Sequence, residues 1–368
     1  MRLLFSTLLL VFFQITAFAS IQTDSLEKAP SDKFLRDTKF IVLPVLFRLP
    51  ETRWGGGVVG TTTFSFAKDS AYAKPSQISF GLTYTQNKQI LAFAPFSIFF
   101  DNNRYYFNGE NGWFKFNYFY YGIGEDRVAE ERFDVTFPRI RLLASRLVAP
   151  NTYAGVRYQY ESYNVTGTQE GGELASGRIA GSDFSRTSSL GPSILRDTRD
   201  QVFYPRQGMF GEFYVLPTAK VFGADRNFVR FYLDVANYFS LSERLVLATN
   251  YVGSAVLGDD VPFSQLSGMG GAKKMRGVYE NFFRDKHSLL TQAELRWEVW
   301  RIIGLTGFGS MGFLGNERDL LRLDKPKFTY GVGLRINAQK KNHLNIRLDY
   351  GFSPYGPGNF YATIGEAF

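Results

Sequence analysis

The chain has 368 residues, 37 Phe, 21 Tyr, no Cys and a formal net charge of +8. That length suits one or two soluble domains or one large barrel, and the lack of Cys excludes a disulfide scaffold and a lipid anchor on Cys. Mean hydropathy is −0.15, and past the N-terminus no apolar run approaches the roughly 18 residues of a membrane helix. An aromatic content of 17% in such a chain fits a transmembrane barrel, which is apolar on one face and carries aromatic girdles. The positive charge alone suits a basic lumen or anionic lipid headgroups as well as it suits nucleic acid.

Arg2, the apolar run Leu3–Phe13 and the small-x-small site Ala17-Phe18-Ala19 read as a secretory signal peptide over residues 1–19. Export argues against a nucleic-acid partner. Residues 20–38 are polar, include Pro30 and read as a short periplasmic lead. From 39 to 368 the chain repeats one pattern, a stretch of alternating polarity followed by a turn. The first such stretch, Phe40–Leu49, contains Pro44, which cannot donate to a ladder. Ile78, Phe80, Leu82 and Tyr84 alternate with Ser79, Gly81, Thr83 and Thr85. Phe133, Val135 and Phe137 share a face, but after Pro138 the apolar set becomes Ile140, Leu142 and Ala144. That slip predicts a β-bulge at Pro138.

Ala154, Val156, Tyr158 and Tyr160 then alternate with Gly155, Arg157, Gln159 and Glu161, and Val229, Phe231, Leu233 and Val235 with Arg230, Tyr232 and Asp234. Ala293, Leu295, Trp297 and Val299 oppose Gln292, Glu294, Arg296 and Glu298. Leu344, Ile346, Leu348, Tyr350 and Phe352 oppose Asn345, Arg347, Asp349 and Gly351. Period two over such lengths means strands. About sixteen are expected, within the range of bacterial barrels, centred near residues 44, 60, 81, 95, 110, 139, 158, 192, 213, 233, 250, 293, 308, 332, 347 and 363. The fold class is all-β: a transmembrane antiparallel β-barrel.

Short connections at 101–104, 149–152, 242–244 and 339–342 fall on one side, and longer ones at 125–131, 167–185, 257–286 and 315–327 on the other. Short periplasmic turns opposite long external loops give that asymmetry, and both termini are then periplasmic. The last strand, Asn359–Phe368, puts Phe360, Ala362, Ile364 and Phe368 on one face. Its terminal aromatic, Phe368, suits an assembly signal read by barrel-assembly machinery.

Chemistry is sparse. The two His residues are His287, beside Ser288, and His343, beside Lys340 and Lys341. Neither has metal-ligand spacing or a nucleophile–base context. No catalytic residue, metal or cofactor is therefore expected. The 257–286 connection stands out, because loops beyond about 12–15 residues are usually functional or disordered. It combines turn-permitting Gly268, Gly270 and Gly271, charged Lys273, Lys274 and Arg276, and aromatic Tyr279, Phe282 and Phe283. Such a loop can tuck into a polar lumen. Arg276 could pair there with Glu294 on the next strand's inward face.

MRGVYENFFRDK (275–286) followed by QAELRWEV resembles the signature of the BamA/TamA superfamily, also called the bacterial surface antigen family. LRDTRDQVFYPRQG (195–208), GFGSMG (307–312) and the ending GEAF are similar to further family motifs. The resemblance implies a sixteen-stranded barrel whose sixth external loop enters the lumen, with Arg276 and Gly277 at its tip and Glu294 as acidic wall partner. Tyr279, Ser310, Asp197, Arg199 and Asp200 fall on supporting positions. Two departures stand out: Val278 occupies the place of the expected aromatic, and Ser310 that of a second acidic partner. A lock centred on Glu294 alone is the expectation. The family also carries periplasmic POTRA modules, for which residues 20–38 are too few, so the sequence predicts a member without them.

The resemblance implies a role in inserting or translocating proteins or lipids at the outer membrane, through a weak seam between first and last strands. The implied partners are outer-membrane lipids, the barrel-assembly machinery, a separate periplasmic subunit in place of the missing modules, and a client of unspecified kind. A passive channel and a partner-docking barrel are the alternatives.

Overall fold

The structure, a computed structural model, describes residues 34–49, 53–70, 73–316, 318–319, 321–339 and 344–368. The signal peptide, most of the lead and the Lys340–His343 turn lie outside these residues. Eighteen strands follow in chain order: β1 (Leu35–Leu49), β2 (Arg53–Phe66), β3 (Ser76–Thr85), β4 (Ile90–Phe100), β5 (Tyr105–Ile123), β6 (Asp126–Ala149), β7 (Thr152–Thr168), β8 (Phe184–Asp197), β9 (Gly208–Thr218), β10 (Phe228–Ser242), β11 (Leu245–Leu257), β12 (Ser267–Met269), β13 (Phe283–Asp285), β14 (His287–Trp300), β15 (Ile303–Gly315), β16 (Lys327–Gln339), β17 (Leu344–Phe352) and β18 (Asn359–Ile364). Sixteen form one antiparallel sheet in sequence order, while β12 and β13 pair with each other inside the long loop. Each of the sixteen expected centres falls within its own strand of that sheet. β1 begins at Leu35 and so takes in the end of the segment read as a lead.

Cross-strand register assigns the faces, because directly opposed residues share a side. Glu294 opposes Ala248 on β11 and Phe308 on β15, and Phe308 opposes Gly331 on β16. This row points into the lumen. Leu295, Trp297, Val332 and Tyr330 point outward and are exposed, as a lipid-facing wall requires. Aromatic rings cover neighbouring glycines on both faces. A Cβ on Gly60 would meet the Phe80 ring, and one on Gly331 would meet Phe308.

Pro138 is not a bulge. The β5–β6 register runs unshifted through Phe114↔Phe137, Trp113↔Pro138 and Gly112↔Arg139. The irregularities of β6 against β7 lie at Asp134/Val135 and Leu147/Ala149. What changes at Pro138 is which face is apolar. Phe133, Val135 and Phe137 point inward and are buried, whereas Ile140 and Leu142 point outward and are exposed. The alternation never slips; the environment on each side of the strand is exchanged. The inner cover is a cluster of Tyr120, Phe133, Val135, Phe137, Tyr163, Leu174 and Phe263, the last contributed by the long loop.

The connection expected at 125–131 is also different. β5 and β6, 19 and 24 residues long, run on to a tight turn between Ile123 and Asp126. Gly124 makes this turn with φ +67°, and its amide donates to the carbonyl of Arg284 in the loop at 2.8 Å. The extended hairpin is thus a wall for the loop to pack on.

Phe263 meets the rings of Tyr120, Phe133 and Tyr163 at 5.5–5.9 Å, all edge-on. Truncating a buried Phe to Ala costs about 3–5 kcal/mol. Phe263→Ala is expected to leave the lower barrel intact and to open the top of the β5–β6 hairpin, seen as faster amide hydrogen exchange over 118–124 and 128–136 with exchange in β14 and β15 unchanged.

Candidate functional site: the loop lock

The 258–286 connection turns back on itself at its glycines. Gly270, at φ +123°, donates to the Lys274 carbonyl at 2.9 Å, and Gly271 donates to that of Val278 at 3.1 Å. A Cβ on Gly270 would stand 1.9 Å from the Tyr279 carbonyl oxygen, so only glycine fits the close approach. Met269, Met275, Val278, Phe282 and Phe283 form an apolar core with Val252, Leu290 and Leu314 of the wall. Val278 is buried there, and Tyr279 stacks edge-on with Phe119 of β5. The aromatic one place later therefore reaches β5, while the smaller Val278 fills the core.

Arg276 is fully buried. Its guanidinium donates to Glu294 of β14 and also to Asp349 of β17, and its third face lies 3.6 Å from the centroid of the Phe308 ring. A planar fork with separate donors can hold two carboxylates from different strands in a way a lysine cannot. The expectation of a lock centred on Glu294 alone is corrected: Asp349 supplies the second carboxylate. Ser310, the position where one was missing, is buried on β15 and bonds Gln292 at 3.5 Å.

The charge network continues downward. Arg296 donates to Glu294 at 2.8 Å. Arg335 donates to Asp349 at 2.6 Å and to Glu366 at 2.8 Å. Arg347 approaches Asp349 at 3.6 Å and donates to the Ala272 carbonyl of the loop at 2.8 Å. Four guanidinium groups, of Arg276, Arg296, Arg335 and Arg347, thus meet three carboxylates, of Glu294, Asp349 and Glu366. The face of the Phe308 ring and the Ala272 carbonyl, both neutral, stabilise the Arg276 and Arg347 cations through their quadrupole and dipole.

The tip also grips the last strands. The Gly277 amide donates to the Tyr361 hydroxyl at 3.0 Å, that hydroxyl donates to the Val278 carbonyl at 2.9 Å, and the Asn359 amide donates to the Gly277 carbonyl at 3.1 Å. A Cβ on Gly351 of β17 would come within 2.5 Å of the Gly277 nitrogen. Backbone meets backbone here, with no space for a side chain.

Asp197, Arg199 and Asp200 lie at the opposite end of the barrel and do not support the loop. Asp197 accepts from Arg199 at 2.8 Å and from Lys74 at 2.9 Å, and Asp200 accepts from the Arg206 amide at 3.0 Å. They fasten the turn between β8 and β9. Phe368 is not on the outward face with Phe360. β18 ends at Ile364, and Gly365, at φ +83°, turns the tail inward. The Phe368 ring packs beside Ala236, Tyr238 and Ala248, its carbonyl accepts from Arg296 at 3.1 Å, and Glu366 is buried between Arg296 and Arg335. Asp349, Arg335, Arg347, Glu366 and Tyr361 are site residues that sequence reasoning missed. The signal for Asp349 and Arg347 was their inward phase. Among the described residues, no group of three His, Asp or Glu is placed to hold a metal ion.

A sixteen-stranded sheet with a lipid-facing wall, a charged lumen and an inserted loop pinned by an arginine defines an outer-membrane β-barrel. The chain matches the Omp85 superfamily domain over residues 63–368, and it belongs to that superfamily, whose barrels serve protein insertion and translocation at the outer membrane. Among solved structures it is similar to BamA from Haemophilus ducreyi lacking POTRA domains 1–3, at 12% identity and TM-score 0.56, covering 90% of this chain and 69% of that one. It is similar too to CdiB from Escherichia coli, at 11% identity and TM-score 0.55, covering 91% of this chain and 62% of that one. For CdiB from Acinetobacter baumannii the values are 9%, 0.53, 90% and 59%. The chain therefore spans about three fifths of either CdiB. No curated protein matches it in sequence.

Removing one partner of a buried ion pair costs about 3–5 kcal/mol, because the other charges stay buried. Arg276→Ala removes the loop's cation from between Glu294 and Asp349 and leaves them to Arg296, Arg335 and Arg347 of the wall. The expected result is a folded barrel with a loosened loop, measured as protease cleavage within 258–286 and larger currents in planar bilayers. Exchanging the pair, Arg276→Glu with Glu294→Arg, is not expected to rescue it, since the new carboxylate would face Asp349 and the new guanidinium Arg296 and Arg335.

Asp285, on the loop ribbon beyond the wall, is buried. Burial pushes its carboxyl from the ordinary 3.8 up to about 6, aided by Glu125 and opposed by Lys286. A folded-state pKa above the unfolded one means that the folded loop binds the extra proton, so it gains stability as pH falls from above 6 towards 4. Hydrogen exchange over 282–286, corrected for its intrinsic pH dependence, should be slower at pH 5 than at pH 8, and Asp285→Asn should remove the difference.

Proposed function

We propose that this barrel helps proteins or lipids to enter or cross the outer membrane by parting between β1 and β18. The observation that carries this reading is the unequal seam. β1 has 15 residues and β18 six, and among the described residues the sheet ends at these two strands without a ladder joining them. An open edge in hydrocarbon is costly, so a stretch left unpaired there is a place to admit a partner strand or a lipid. The loop lock supports the same reading. It braces β14, β17 and β18 from within, which keeps one side of the seam rigid while the other is free to move. A passive channel fits less well, because the loop packs an apolar core and a network of ion pairs against the inner wall at β11, β14, β15 and β17.

The reading is non-enzymatic and needs no cofactor. A separate periplasmic subunit, engaging the turn side, would deliver clients. Phe368 would serve the assembly machinery before folding, since in the finished barrel its ring is half-buried against Ala236, Tyr238 and Ala248. Lumen-facing loop residues then act as positioning groups.

The native chain lacks Cys, so cysteine pairs scanned across 42–46 and 360–363 can tether the seam specifically. In cells that depend on the protein, oxidised tethers are expected to deplete the affected proteins or lipids from the outer-membrane fraction, with recovery on reduction. Complete cross-linking without any change in outer-membrane composition would overturn the reading.

A further inference from the structure

β1, like β4, is apolar on both faces, and of the two it alone stands at the edge of the sheet. Its outward set is Phe40, Val42, Pro44 and Leu46; its inward set, fixed by register, is Ile41, Leu43 and Val45. Four consecutive residues, Phe40, Ile41, Val42 and Leu43, are exposed by 65, 44, 42 and 50%, so neither face is covered. The inward apolar surface extends across the sheet. Leu43 opposes Val59, Val59 opposes Gly81 and Gly81 opposes Phe93; in the next row Val45, Gly57, Thr83 and Leu91 align. No charged side chain lies in these two rows. From β5 onward, by contrast, the same face carries Glu110, Arg139, Arg141, Arg157, Glu212 and Asp234, and the loop packs on that part of the wall and on β14–β18. Lys39, inward and opposite Thr63, stands at the turn-side end of the stripe.

A near-continuous apolar strand is the pattern of one covered by apolar material on both sides. Outside, lipid supplies the cover. Inside, the stripe lies directly at the unpaired seam, so it continues the hydrocarbon surface around the edge of β1 into the lumen. We propose that this inner face is a binding site for one phospholipid, its acyl chain lying along Ile41, Leu43, Val45 and Phe93 and its phosphate at Lys39. The stripe from Ile41 to Val45 is roughly 13 Å long at a rise of about 3.3 Å per residue, close to one leaflet of a hydrocarbon core about 30 Å thick. A peptide is the poorer occupant. Laid on this face, its amides and carbonyls would be taken from water without partners, whereas an acyl chain has none to satisfy. The site deepens the seam reading by naming a lipid, but it needs only the open edge and no client, so the two can fail separately.

The test is residue-resolved photolabelling of the full-length barrel in nanodiscs containing a phosphatidylethanolamine with a diazirine near the middle of one acyl chain. Adducts are expected on Ile41, Leu43 and Val45 as well as on outward Val42, Leu46 and Leu82. Leu43→Asn is expected to reduce the inward adducts roughly tenfold, equal to about 1.4 kcal/mol, with the outward ones unchanged and the barrel still heat-modifiable. Lys39→Gln, which leaves the apolar face intact, should reduce inward labelling by the phospholipid probe but not by a diacylglycerol probe. Labelling confined to the outward residues overturns the site. Equal labelling of the native chain by both probes overturns the headgroup assignment. Inward residues protected from the lipid probe but cross-linked to a photoreactive apolar peptide would make the stripe a peptide site instead. None of these readouts involves client insertion.

Discussion

One guanidinium holds two carboxylates that the chain places 55 residues apart, on strands that are not neighbours. Arg276 draws β14 and β17 toward a common point inside the lumen, and much else follows from that contact. Glu294 and Asp349 could not both remain charged and buried so near each other without a cation between them. Arg296, Arg335 and Arg347 then find partners in the same carboxylates, and Glu366 is drawn in to satisfy two of them. The loop is held by its charge at one point and by its Met and Phe side chains over a wider area. The two anchors differ in kind, since the ionic one fixes position and the apolar one fills volume.

The same contact explains why the two sides of the seam differ. β17 is bonded to the loop through Asp349 and Arg347 and β18 through Asn359 and Tyr361, so their inner faces belong to a solid body. β1–β4 have no such brace, and their inner face between Lys39 and Val45 is built of Gly, Ser, Thr, Gln and apolar residues beside that one lysine. An edge between a braced strand and an unbraced one is where a barrel would yield first.

Much of this architecture was legible in the sequence, because period two survives in nearly every strand. Glu294 could be paired with Arg276 from its inward phase, its place on the strand that follows the loop and the family resemblance. Asp349 has the same phase, but no local pattern says which of several inward acids a loop will reach; that depends on barrel curvature. Ser310 pointed to a missing acid at one strand, and the structure supplies it from another. Phe368 was placed on the wrong face because alternation was extended through Gly365, whose positive φ ends it. Pro138 suggested a bulge because apolar residues changed parity there. Parity of apolar residues reports the surroundings of a strand as much as its geometry, and at Pro138 the surroundings change.

That exchange at Pro138 also works as a height gauge. Above it the outward side of the β5–β6 hairpin carries Lys115, Asn117, Arg132, Asp134 and Thr136, with Phe119 among them meeting the ring of Tyr279, and the inward side is aromatic. Below it the outward side is Ile140, Leu142 and Phe107. Trp113, opposite Pro138 and outward, sits at the changeover, where an indole suits the headgroup layer. The chain thus passes, within one strand, from the pattern of a membrane wall to that of a water-soluble protein. The cluster around Phe263 is assembled by exclusion of water, a force that the lipid-bathed part of the wall cannot use between its own side chains. Its strength should then decline on cooling as hydrophobic packing does, while the ionic lock below it does not follow that curve. The upper and lower anchors of one loop would therefore respond to temperature independently.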